Sequence, residues 1–226
     1  MRTPAKLDQW FEGWPELVCI DLDGTLVDSV PDLAQAIDYA LVNAGAETAG
    51  EDRVRTWVGF GAAKLIEQAM QWADVSSDLM EQCYRDFLLH YRDNLTAKTT
   101  LYPNAIQLLK TFKRAGVPMA LVTNKPSVFI RPILTHFEIS DYFSWLIGGD
   151  TLEEKKPSPM PLLHCCEALD AEPQNCLMIG DSITDHQAAK EAGFKSMLLT
   201  YGYHQGVDLP SLGADFIADD FTELFT

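Results

Sequence analysis

The chain has 226 residues, 47% hydrophobic and 22% charged, which are the proportions of a soluble globular protein large enough for one domain or for a core with an insertion. With 33 acidic against 17 basic residues the formal net charge is −16, and a field of that sign repels nucleic acid and anionic membrane surfaces, so neither is an expected partner. An anionic substrate on so acidic a protein needs local cations, either a bound metal or a few well-placed lysines.

Met1 to Trp14 is mixed and polar and lacks the apolar run of a signal peptide, and no stretch is long and apolar enough to span a membrane. Leu17-Val18-Cys19-Ile20 is a short apolar run ending in Asp21, which predicts a buried strand with an acidic pair at its carboxyl end. Pro31 then opens a helical pattern in which Leu33, Ile37, Leu41 and Ala44 recur at helical spacing and Gly45 closes it. Further helices are predicted at roughly 53–58, 62–72 and 78–93, and no strand is convincing between Ser29 and Leu95.

After Tyr102-Pro103 the pattern alternates. A helix at about 104–115 precedes a strand at 117–122, a helix at 127–136 precedes a strand at 145–147, a helix at 159–169 precedes a strand at 177–179, and a helix at 185–192 precedes a strand at 195–199. This succession predicts βαβ units, and so an α/β protein with a Rossmann-like parallel sheet covered on both faces. The helical block interrupts that core straight after its first strand, above the strand ends where open α/β sheets bind ligands. The expected division is a core of residues 1–28 and 96–226 with an inserted α-helical cap of residues 29–95.

Four segments stand at or near the carboxyl ends of predicted strands. In Asp21-Leu22-Asp23-Gly24-Thr25 two carboxylates can approach one metal ion, and Gly24 lets the backbone turn and expose amides to an anion; read alone, the segment is equally an Asx-rich turn. Thr123-Asn124-Lys125-Pro126 offers a hydroxyl and amides at the start of a helix, which suits a phosphate or a simple N-cap. Lys155-Lys156-Pro157 puts a point charge on a stiffened loop, with one of the two lysines directed away, or is a solvated charged loop. Gly180-Asp181-Ser182 with Asp185 adds carboxylates of the kind that bind magnesium, or a helix cap. The four together, in order on successive α/β units, make coincidence improbable.

These four segments resemble the motifs of the haloacid dehalogenase superfamily of aspartate-nucleophile hydrolases, and the resemblance covers essentially the whole chain. Asp28 to Leu33, Arg55 to Gly59, Ile147 to Thr151, Lys155-Lys156-Pro157 and Tyr201-Gly202-Tyr203 are similar to the bacterial phosphoglycolate phosphatase branch of that superfamily. The resemblance implies a Mg2+-dependent phosphomonoesterase acting on a small anionic phosphate ester, most simply 2-phosphoglycolate. It implies Asp21 as nucleophile and Asp23 as general acid and base. Thr123 and Asn124 would hold the phosphoryl oxygens, and Lys156 would neutralise charge and orient Asp21. The metal would lie between an Asp21 oxygen, the Asp23 main-chain carbonyl and Asp181, with Asp185 supporting Lys156 or the metal shell.

Substrate choice is expected in the insertion. Trp57 to Ala62 has the glycine-flanked look of a loop that enters the site, which makes Gly59, Phe60 and Gly61 specificity candidates, together with Lys125 and with Lys64, which from the next helix could reach a substrate carboxylate or simply be solvated. Five cysteines, an odd number without metal-ligand spacing, read as reduced thiols of a cytoplasmic protein, and the five histidines form no spaced pair. A broader sugar-phosphate or nucleotide phosphatase, or a phosphomutase, is the nearest alternative; a non-catalytic phospho-ligand binding or signalling module is the alternative of another class. A monomer and a homodimer are both compatible with the sequence.

Overall fold

The computed structural model describes residues 3–225. Met1, Arg2 and Thr226, at the outer ends of the expected core segments, lie outside the described residues. Helix α1 (Ala5–Phe11) leads into strand β1 (Leu17–Ile20), and β2 (Val27–Asp28) follows after a tight turn. Four helices come next, α2 (Val30–Asn43), α3 (Glu51–Arg55), α4 (Ala62–Trp72) and α5 (Met80–Asp93), before the short β3 (Thr100–Leu101). The rest alternates: α6 (Ala105–Ala115), β4 (Met119–Val122), α7 (Ser127–His136), β5 (Trp145–Ile147), α8 (Met160–Leu169), β6 (Cys176–Gly180), α9 (Ile183–Ala192), β7 (Lys195–Leu199), α10 (Leu209–Leu212) and β8 (Phe216–Ala218).

Six strands form one parallel sheet in the order β5-β4-β1-β6-β7-β8. The buried strands are apolar throughout because helices cover both faces, which is why they read as continuous runs in the sequence. Alternate side chains of β1 feed two cores: Val18 and Ile20 pack with the larger cluster, Leu17 and Cys19 with the cluster around α8 and α9. The chain leaves β1 toward β4 and β5 on one side and returns to β6 on the other. The topological switch point therefore falls at the carboxyl end of β1, where Asp21 stands.

The segment between β2 and β3 contains no strand, and α2 packs mainly against α5 along their apolar faces. The two chain passages that join this segment to the sheet pair with each other, Val27 with Leu101 and Asp28 with Thr100. Asp32, fully buried in the first turn of α2, fastens the same junction: its carboxylate accepts from the amides of Lys98 and Thr99 at 3.0 and 2.8 Å and from the Thr99 hydroxyl at 2.7 Å. Strands of two residues carry no readable period, which is why this ribbon is absent from the sequence expectations.

Candidate active site

The carboxyl ends of β1, β4 and β6 bring Asp21, Thr123 and Asp181 to one edge of the sheet, and the loop between β5 and α8 adds Lys156. All four are at least nine-tenths buried. Lys156 Nζ donates to the Val122 carbonyl at 2.7 Å and to Asp185 Oδ1 at 2.6 Å, and lies 3.0 Å from Asp21 Oδ1. Three donors meet three acceptors, as a buried ammonium requires. Burial alone would lower Lys156, but Asp185 and Asp21 outweigh it and hold its pKa above the ordinary value. Lys155 faces outward, and its ammonium donates to the Phe60 carbonyl at 2.9 Å.

Ligand atoms of Asp21, Asp181 and Asp185 all lie within 4.8 Å of one another, and all three residues are buried. Asp21 Oδ1 accepts the Leu22 amide at 2.7 Å. Asp181 accepts the Thr25 hydroxyl and the Tyr203 amide, each at 2.6 Å. Asp185 completes a capping box with Ser182 at the start of α9 while its other oxygen holds Lys156. Against three carboxylates the cluster sets one ammonium. Burial pushes the Asp21 carboxyl up to about 7 despite Lys156, and pushes Asp181 well above the carboxylate range, where Asp185 and Asp21 add to the effect. A dense set of oxygen donors with uncompensated negative charge is what a small divalent cation stabilises, so the residues present fit one.

The cluster is packed to contact. Gly24 has φ +84, and a Cβ there would run into the Asp181 carboxylate and the Tyr203 ring. A Cβ on Gly180 would likewise strike the Asp185 side chain. Gly24 makes the turn expected of it, and its own amide donates to the Val27 carbonyl at 2.9 Å and closes that turn.

Asp23 points away from the acid cluster. Both its oxygens lie 2.9 Å from Lys125 Nζ, and Oδ1 accepts the Ser29 hydroxyl at 2.6 Å. It contributes no carboxylate to the three-acid group, whose third member is Asp185. The Asn124 side-chain amide spans two neighbours, donating to the carbonyls of Gly59 at 2.9 Å and Lys156 at 2.8 Å.

Asp21, Asp23, Thr123, Asn124 and Lys125 line one cavity with Gly59, Gly61 and an apolar wall that includes Leu33, Leu65 and Phe129; its volume is about 40 Å3, room for a few water molecules. Of the specificity candidates, Gly59, Gly61 and Lys125 are thus at the cavity. Phe60 is held through its main chain by Lys155. Lys64 is not brought there: half-exposed, it pairs with Glu67 at 2.8 Å on the outer face of α4. Sequence reasoning missed Ser29, Tyr203 and Gln205. The Tyr203 hydroxyl accepts the Ser29 amide at 3.0 Å and donates to Asp28 at 2.7 Å, while Gln205 donates to the Val58 carbonyl. Tyr203 and Ser29 had a signal, in Tyr201-Gly202-Tyr203 and in the stretch from Asp28 to Leu33; Gln205 had none.

Residues 18–199 match the family model for haloacid dehalogenase-like hydrolases. The chain is 43% identical to a phosphoglycolate phosphatase of Pseudomonas putida over 97% of this chain and 82% of the relative. It is 44% identical to one of Colwellia psychrerythraea over 92% and 95%. The crystal structure of a predicted phosphoglycolate phosphatase from Haemophilus somnus superposes with a TM-score of 0.90 at 39% identity, over 92% of this chain and 96% of that one. CbbY from Rhodobacter sphaeroides in complex with phosphate shares the fold, with a TM-score of 0.79 at 23% identity over 93% and 96%.

Proposed function

The chain belongs to the haloacid dehalogenase-like hydrolase family, and on that premise we propose that this phosphatase hydrolyses 2-phosphoglycolate to glycolate and phosphate through an aspartyl-phosphate on Asp21. The observation that carries the chemistry is the buried group of Asp21, Asp181 and Asp185 around one Lys156 ammonium. The substrate is carried by relatives that bear the name phosphoglycolate phosphatase and are 43% and 44% identical over nearly the whole chain.

In this reading an Asp21 carboxylate oxygen attacks phosphorus in line, and the phosphorus–ester oxygen bond breaks. Lys156 fixes the Asp21 side chain and, with the Thr123 hydroxyl, meets the phosphoryl oxygens as negative charge gathers on them. Asp23 gives a proton to the departing glycolate oxygen, then takes one from the water that cleaves the aspartyl-phosphate. Asp21, Asp181 and the Asp23 main-chain carbonyl would hold Mg2+, which supplies charge neutralisation between nucleophile and phosphate. Asp185 acts by holding Lys156. The helical insertion of residues 29–95 serves as a cap that closes the site, with Gly59-Phe60-Gly61 as its entering loop.

A kcat/KM panel of small phosphate monoesters with Mg2+ tests the reading. The expected order puts 2-phosphoglycolate first. A clear preference for a hexose or pentose phosphate overturns the substrate, and no turnover of any ester overturns the activity.

A further inference from the structure

We propose that Lys125, with the Tyr91 hydroxyl, is the receptor for a second anionic group on the substrate, and that this receptor selects a short phosphate ester bearing a carboxylate over neutral and polyhydroxy esters. The proposal rests on the phosphatase reading above and adds the group that chooses the substrate.

Lys125 is the one cation among the described residues that line the cavity. Its side chain is 3% exposed, too buried for a solvating role, and it is held between Asp23 on one side and the Tyr91 ring, 4.7 Å away, on the other. An ammonium has three donors; two of its contacts are the Asp23 oxygens at 2.9 Å, and the third donor faces the Tyr91 hydroxyl, so a ligand oxygen between the two would be shared by both. Tyr91 comes from α5, lines the same cavity, and is 1% exposed. Its hydroxyl makes no hydrogen bond of acceptable geometry. A buried hydroxyl without a partner is costly, and a carboxylate beside Lys125 would satisfy it.

Apart from Asn124, the remaining wall is poor in groups that would receive the hydroxyls of the rival substrates. Leu33, Val58, Leu65, Phe87 and Phe129 offer the ligand no side-chain hydrogen-bonding group. A sugar phosphate entering there would leave hydroxyls unpaired, whereas a two-carbon acid has only its two charged ends to satisfy, one at Asp21 and Thr123 and one at Lys125.

The test is a matched pair of esters, 2-phosphoglycolate and ethyl phosphate, in which a methyl group replaces the carboxylate. A second pair, 3-phosphoglycerate and glycerol 1-phosphate, accompanies it. Each is measured with Mg2+ in wild type, Lys125→Met and Tyr91→Phe. A charge-assisted hydrogen bond corresponds to about a 10- to 100-fold preference for the charged member in kcat/KM. That preference should fall to within about threefold in Lys125→Met and by several-fold in Tyr91→Phe, which keeps the proposal testable if Lys125→Met does not fold. A preference retained in both variants overturns the receptor and leaves 2-phosphoglycolate as substrate. A preference seen only for the glycerate pair, and lost in Lys125→Met, supports the receptor and overturns 2-phosphoglycolate. A wild type that does not distinguish charged from neutral members overturns the receptor.

Discussion

Lys156 Nζ stands 2.6 Å from Asp185 Oδ1, with the two side chains 1% and 0% exposed. The pair joins the loop after β5 to the first turn of α9, and the same Asp185 caps that helix. Removing Asp185 leaves the buried Lys156 ammonium with the Val122 carbonyl and Asp21, 3.0 Å away, as its remaining partners, and takes the cap from α9. Asp185→Asn is expected to destabilise the fold by about 1–3 kcal/mol, a fall in Tm of roughly 2–12 °C for a chain of this size. Thermal unfolding followed by circular dichroism checks it; an unchanged Tm contradicts the role given to the pair.

Asp21 and Asp23 sit two residues apart in opposite surroundings, one facing Lys156 and the acid cluster, the other Lys125 and Ser29. Their substitutions should therefore separate. Asp21→Asn removes the proposed nucleophile and should lower kcat by at least about 10^4-fold. Asp23→Asn should slow turnover while Mg2+ still binds, because its carboxylate lies outside the three-acid cluster. Single-turnover kinetics with Mg2+ titrations distinguish the two; full activity in Asp21→Asn overturns the mechanism.

The acid cluster also makes a prediction in pH. Asp21 moves from an ordinary 3.8 up to about 7 on folding, and Asp181 moves in the same direction, both chiefly because burial penalises the charged carboxylate. Between those values the metal-free folded state binds more protons than the unfolded chain. The contribution of Asp21 to stability is therefore fully present below about 3.8 and is lost as pH rises through about 7. Mg2+ needs the ionised carboxylates, so its binding should reverse the loss most strongly at alkaline pH. At a hundredfold excess over Kd the gain is about 2.7 kcal/mol, or roughly 5–10 °C. The rise in Tm on adding Mg2+ should be large near pH 8, small near pH 5.5, and absent in Asp181→Asn. An equal rise at both pH values counts against the cluster as the metal site.

Much of this was legible in the sequence for a physical reason. The inner strands are buried on both faces, so β1 appears as an apolar run with the bounds it has in the fold; the bounds of the edge strand β5 and of β7, which opens on Lys195-Ser196, are also those read from the sequence. Asp21, Thr123 and Asp181 each follow such a run, and their convergence is a consequence of parallel topology. What was not legible depends on contacts distant in sequence. Nothing local marks Ser29 or Tyr203 as partners of Asp23 and Asp181, and nothing local pairs Lys125 with Asp23. Lys64 had a visible counter-signal: Glu67 lies three residues on, the spacing of a surface helical pair.

One loop gathers donors from three separate parts of the sheet edge. The carbonyls of Val58, Gly59 and Phe60 accept in turn from Gln205 after β7, Asn124 after β4 and Lys155 after β5. Consecutive carbonyls held from outside the helical segment act as a clasp that keeps the entering loop of the proposed cap against the cavity. Asn124 also braces the Lys156 loop, so it is a poor probe. Gln205 and Lys155 make no other side-chain contact among those described at the site, and each neutral or exposed bond contributes about 0.5–1.5 kcal/mol. The double substitution Gln205→Ala, Lys155→Ala should therefore raise amide hydrogen exchange across residues 56–62 by roughly 5- to 100-fold and leave exchange in β1 and β6 unaffected, since those strands report global opening. If opening limits substrate entry, kcat/KM for 2-phosphoglycolate rises with it; if the loop must be closed for chemistry, kcat falls while exchange rises. Unchanged exchange at 56–62 would show that these two contacts do not hold the loop.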